Sequence, residues 1–113
     1  MVAWPTTDVL QGTLDMLVLK ALALGSMHGW GITERLEEGS RGVFQLAQGS
    51  LYPALYRLER QGLVSSAWKT TEHKRRARYY SLTAAGKKAL AAERQKWERQ
   101  SDAVNLVLRM TQA

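Results

Sequence analysis

Thr83 is a natural N-cap, and the residues behind it read as a single helix running to about Met110. Some 26 residues at 1.5 Å each make a rod about 39 Å long, more than a compact domain of 113 residues needs. Leu90, Trp97 and Val104 recur along it every seven residues and Leu108 follows four further on, while Lys87, Lys88, Arg94, Lys96 and Arg99 point elsewhere. A heptad stripe on an overlong terminal helix predicts a seam between two copies of the chain. The first helix points the same way. It is expected over residues 9–24, opened by a capping box of Asp8 and Gln11 and stopped at Gly25. Its apolar residues, Leu10, Leu14 and Leu17 among them, occupy nearly the whole circumference. A domain this small has little interior with which to surround a helix, so part of that surface is expected to meet another subunit. The alternative is a central helix wrapped by its own domain.

One domain is all that 12.7 kDa allows, and 45% hydrophobic residues supply its core. The lack of cysteine removes thiol nucleophiles, thiolate metal sites and disulfides, and fits a reducing compartment. No apolar run approaches the ~18 residues of a membrane span, and the first residues lack a secretory pattern, so a cytoplasmic protein without a membrane partner is expected. Of the two histidines, His28 falls in a turn and His73 at a loop tip, neither with a second ligand at metal spacing. Phosphate-loop, nucleophile-elbow and zinc-protease motifs are missing. Ser50 follows a glycine but lacks a partnered base, and Glu34, Glu37 and Glu38 read as a solvated helix face. No enzyme, cofactor or metal is expected.

Charge supplies the positive argument. Residues 69–78, KTTEHKRRAR, hold five of the chain's 16 Lys and Arg and a single Glu, which places +4 of the formal +6 on ten residues. Alternating residues flank this run, Val64 and Trp68 before it and Tyr80 and Leu82 after it, so two short strands joined by a basic tip are expected. Such a hairpin holds its cations out on an arm, where phosphates can meet them. Upstream, residues 26–29 read as a turn and residues 30–38 as a short helix with Trp30, Ile32 and Leu36 as apolar contacts. Residues 40–48 read as a loop with Val43, Phe44 and Leu46 tucked beneath the domain. The third helix is expected from an N-cap at Ser50 to Gly62, with Pro53 in its first turn and Leu51, Leu55 and Leu58 as its core stripe. That leaves Tyr52, Pro53, Tyr56, Arg57 and Arg60 on outward faces.

Three helices, a hairpin and a terminal helix describe a mainly α fold, a winged helix-turn-helix followed by a long dimerisation helix. Residues 1–82 would form the DNA-binding region and 83–113 the dimerisation helix, in one compact domain. In that arrangement the third helix enters the major groove and the wing touches phosphates or a minor groove. The expected DNA contacts are Gln48, Gly49, Ser50, Tyr52, Pro53, Tyr56 and Arg57 on the helix, and Lys69, Lys74, Arg75, Arg76 and Arg78 on the wing. The expected dimer contacts are Leu10, Leu14, Leu17, Leu90, Trp97, Val104 and Leu108.

The chain resembles the PadR family of bacterial transcriptional regulators, through GTLDMLVL at 12–19, HGWGI at 28–32, GSLYPALYRLE at 49–59, GLV at 62–64 and RYYSLTAAG at 78–86. Trp30 departs from the family's usual tyrosine, and the single terminal helix looks like the family's short branch. The resemblance implies a homodimer on a roughly palindromic operator in double-stranded DNA, most often as a repressor released by a signal. It further implies that Trp97 could receive a planar aromatic effector, since drug-sensing members hold such compounds against a tryptophan of the terminal helix. A tryptophan at heptad spacing can equally be seam packing. The alternative function is a winged-helix protein-interaction module without its own operator.

Overall fold

The computed structural model describes residues 8–112, and of residues 8–11 the backbone alone. The capping box at Asp8 and Gln11 and the side chain of Leu10 therefore lie outside the described residues. Along the chain run α1 (Asp8–Ala23), β1 (Met27–His28), α2 (Gly29–Gly39), α3 (Gln48–Arg60), β2 (Val64–Thr70), β3 (Arg76–Leu82) and α4 (Ala84–Leu108). This is a winged helix-turn-helix with a long helix behind it.

Most of the apolar residues described on α1 pack into its own domain. Leu14, Val18, Leu19, Ala21 and Leu22 are each at most 6% exposed. They meet Ile32 and Leu36 of α2, Leu51, Ala54, Leu55 and Leu58 of α3, and Val64 and Tyr80 of the sheet. Leu14, expected as a dimer contact, is thus a core residue with only 6% of its surface left for a second subunit. Leu17 is half-buried against the same cluster. The C-terminal carbonyls of α1 are closed by α2, whose Arg35 donates to the carbonyls of Ala21 (2.9 Å) and Gly25 (2.7 Å).

The sheet has three strands in the order β1-β3-β2, where a two-stranded hairpin was expected. Residues 27 and 28, expected as a turn, pair antiparallel with Tyr80 and Tyr79. Two residues are too few to show alternation, and only the folded position of β3 makes them a strand. His28 also caps α2, its Nδ1 accepting from the Gly31 N–H at 3.0 Å. Trp30 is 63% exposed and Val43 49%, so neither is the buried contact the sequence implied, while Phe44 and Leu46 are half-buried.

Helix α3 starts at Gln48, with Ala47 as N-cap and no side-chain cap bond. Ser50 is therefore inside the first turn, where its N–H donates to the Ala47 carbonyl (3.0 Å), and is not the cap. Pro53 consequently stands past the first turn and withdraws a donor from the Gly49 carbonyl, which lies on an exposed residue. The helix ends as the sequence implies: Gly62 has φ +74°, and the Leu63 and Gly62 N–H groups return to the carbonyls of Leu58 and Glu59.

That turn anchors α4. The Thr83 hydroxyl accepts from the Gly86 N–H (3.0 Å) and donates to the Gly62 carbonyl (2.7 Å), and the Thr83 N–H donates to the Leu63 carbonyl. Gly86 is buried against the same turn, and a Cβ there would stand 2.1 Å from the Leu63 carbonyl oxygen. Because the obstacle is backbone, Gly86→Ala should force α4 off its seat and destabilise the fold by roughly 1–3 kcal/mol. At about 4–8 °C per kcal/mol for a small domain, thermal unfolding should show a clearly lower midpoint, and an unchanged one would mean α4 does not dock through Gly86. Ala89 and Leu90 pack on the core. Beyond them Trp97, Val104, Leu106, Val107, Leu108 and Met110 are 45–75% exposed, and the molecule measures 64 × 32 × 21 Å.

Candidate nucleic-acid interface

The wing pairs from Val64↔Leu82 at its root to Thr70↔Arg76 near its tip. Its turn closes with the Thr71 N–H on the Arg75 carbonyl (2.7 Å) and the Lys74 N–H on the Thr71 carbonyl (2.9 Å). Lys74 has φ +59°, the left-handed conformation that tight hairpins usually give to glycine or asparagine. A lysine pays about 1–2 kcal/mol there, and the exchange is an ammonium at the apex of the arm. Lys69, Lys74, Arg75 and Arg76 are exposed, and among the described residues none of them has a carboxylate within ion-pair distance. Two are oriented by rings instead: Arg76 lies 5.7 Å from the Trp68 ring centre and Lys69 5.6 Å from that of Tyr79. Cations held this way stay free to meet an incoming anion.

Two arginines expected beside them have other work. Arg78, at the wing root, donates through Nε to the Ser66 hydroxyl (2.9 Å) and through Nη2 to the Glu59 carboxylate (3.4 Å), which ties both wing strands to α3. Arg57 does not face outward; its Nη2 donates to the Asp15 carboxylate at 2.8 Å, with both side chains about a third exposed or less. That half-buried pair joins α3 to α1 and so sets the tilt of the helix. Gln48 does the same toward α2, its Nε2 reaching the Thr33 hydroxyl at 3.4 Å.

The open face of α3 carries Gly49, Tyr52, Pro53, Tyr56 and Arg60, and Ser50 is half-buried beside it. Arg60 extends over the Tyr56 ring at 5.7 Å. It was outside the expected DNA contacts, although its spacing from Gly49, Pro53 and Tyr56 is the complement of the buried Leu51, Leu55 and Leu58 stripe. The Tyr52 hydroxyl end lies against α2, for a Cβ on Gly29 would stand 2.6 Å from it, so Gly29 lets the two helices approach. Burial pushes the Tyr80 phenol above its ordinary pKa against the opposing pull of Arg78, keeping a neutral ring behind the wing.

A concavity of about 390 Å³ lies between α1 and α4 and is lined by Gly12, Thr13, Met16, Glu93, Lys96, Trp97 and Gln100. No helix among the described residues is long and apolar enough to cross a membrane.

The family model for the transcriptional regulator PadR-like family matches residues 18–92. A transcriptional regulator of Mycobacterium tuberculosis is 36% identical over 81 residues, 72% of each chain. Among solved structures, a PadR family transcription regulator from Clostridium difficile superposes with a TM-score of 0.74 at 30% identity, covering 84% of this chain and 97% of that one. A PadR-like transcriptional regulator from Bacillus cereus does so at 0.80 and 25%, covering 93% and 100%.

Proposed function

Since this chain belongs to the PadR-like family and is a DNA-binding transcriptional regulator, not an enzyme, we propose that it acts as a homodimeric repressor on a roughly palindromic operator. Residues 1–82 bind DNA and residues 83–113 join the two copies. The observation that carries this reading is the set of four exposed wing cations with no carboxylate partner among the described residues, beside a helix face of tyrosines and an arginine. The α3 face offers groups that hydrogen-bond to base edges, and the wing offers charge to phosphates whatever the sequence. The apolar outer half of α4 supports a second copy, because a monomer would leave Val104, Leu108 and their neighbours in water.

Selection from a random duplex pool tests the proposal. Enrichment of two inverted half-sites, about 10 base pairs or a multiple of that apart, is the expected result. Failure to enrich any motif would favour the interaction-module reading instead. The cleft at Trp97 supports a planar aromatic effector, with the indole as platform and the Glu93–Lys96 pair beside it, so that its lining carries no net charge. Displacement of the selected duplex by a planar aromatic compound, with quenching of indole emission, is the result that reading requires.

A further inference from the structure

A groove of about 620 Å³ opens between the first turn of α2 and the wing. Trp30 of α2 lines one side, Trp68 of β2 and Arg75 and Arg76 of the wing the other, and Tyr52 of α3 also reaches it. Strand β1 ends at His28, opposite Tyr79, so the groove runs on along the part of β3 that has no neighbour on that side among the described residues. Trp30 and Trp68 are 63% and 58% exposed, and neither belongs to the core cluster. Indoles are costly to leave in water, and two on the walls of one groove call for an occupant that offers apolar surface.

The charge narrows the choice. Arg75 and Arg76, with Arg78 already paired to Glu59 at the wing root, face the groove against the single acid Glu72, so the occupant is anionic. The groove also joins the two surfaces already described, with Tyr52 from the open face of α3 and Arg75 and Arg76 from the wing. We infer that it seats the sugar–phosphate backbone of one operator strand, with Trp30 and Trp68 packed against deoxyribose and Arg75 and Arg76 on the adjoining phosphates. Deoxyribose is the apolar surface and phosphate the charge, and the groove offers two indoles to the one and two guanidiniums to the other. This rests on the DNA-binding reading and extends it to residues that neither the α3 face nor the wing tip includes. Because sugars and phosphates are the same at every base, these contacts add affinity without sequence preference.

Trp30→Ala and Trp68→Ala in the full-length chain test it against a mixed-sequence 30-base-pair duplex and the duplex recovered by selection. Each should weaken binding to both about tenfold for every half-site the dimer occupies, as expected for a lost aromatic contact, with the salt slope unchanged because no cation is removed. Trp68→Phe and Trp30→Phe should restore most of the loss. Hydroxyl-radical cleavage, which attacks deoxyribose, should show sugars protected by the parent and uncovered in each alanine variant. Binding within twofold of the parent and an unchanged cleavage pattern, while removal of the wing cations still weakens binding, would overturn the groove assignment and leave DNA binding standing. A loss seen only as a shallower salt slope would trace to Arg76 displaced from the Trp68 ring and would overturn it too. A parent that binds neither duplex would remove the DNA-binding reading itself.

Discussion

Replacing Lys74 by Gly and Arg75 and Arg76 by Ala should weaken binding to every duplex alike and flatten its dependence on salt. A dimer would lose six cations from its two wings. At about 0.9 counterion per neutralised phosphate, the slope of log affinity against log salt should fall by about 5. The parent, with eight such contacts from its two wings, should lose on the order of 10⁴ in affinity between 50 and 200 mM salt, and the variant, left with Lys69 alone on each wing, about tenfold. Glycine is the choice at position 74 because the residue has φ +59°, where alanine would add backbone strain to the loss of charge. The three side chains are exposed, and among the described residues none has an ion-pair partner, so the fold should survive and the thermal midpoint should hold or rise. Arg78→Ala is a different experiment. It cuts the link from β3 to Ser66 and Glu59, and its effect on binding would mix lost charge with a displaced wing. An unchanged salt slope in the triple variant would remove the wing from the interface.

The elements legible from the residues alone are those whose cause is local. Thr83 with Gly86, the Gly62 stop and the alternation of Val64, Trp68, Tyr80 and Leu82 each act within a few positions, and the structure has them where the sequence implies. The start of α3 was not legible, since Ser50 after Gly49 has the composition of a cap while the helix begins at Gln48, whose side chain bonds to Thr33 fifteen residues away. Strand β1 depends on β3 more than fifty residues later. The same distance in sequence hid the partners of two arginines. Asp15 is 42 positions from Arg57 and Glu59 is 19 from Arg78, so both cations read as free until the fold paired them. Residues 51, 55 and 58 marked the buried side of α3 by period, and its opposite side was therefore readable as a face, though not which of its arginines would be open. Trp30 and Trp68 become neighbours of one groove only when α2 and the wing come together.

Charges placed on the outer half of α4 should separate the two copies and with them the affinity. Val104 and Leu108 are 55% and 75% exposed and one helical turn apart, so Val104→Glu with Leu108→Glu sets four like charges in one seam without touching the core. Sedimentation equilibrium should give twice the 12.7 kDa chain mass for the parent and the chain mass itself for the variant. The winged domain should keep its thermal transition, because α4 is anchored by Thr83, Gly86, Ala89 and Leu90. Operator affinity should fall by about 10²–10⁴, the advantage lost when two linked half-site contacts become independent. The salt slope should halve at the same time, since each monomer carries one wing. These outcomes separate the roles of the two ends of the chain, for the wing variant changes the slope while leaving the mass at the dimer's value and the seam variant changes both. A seam variant that remained a dimer would move the interface off residues 104 and 108 and onto the side of α4 that carries Leu106 and Val107, which are 66% and 60% exposed and equally in want of cover.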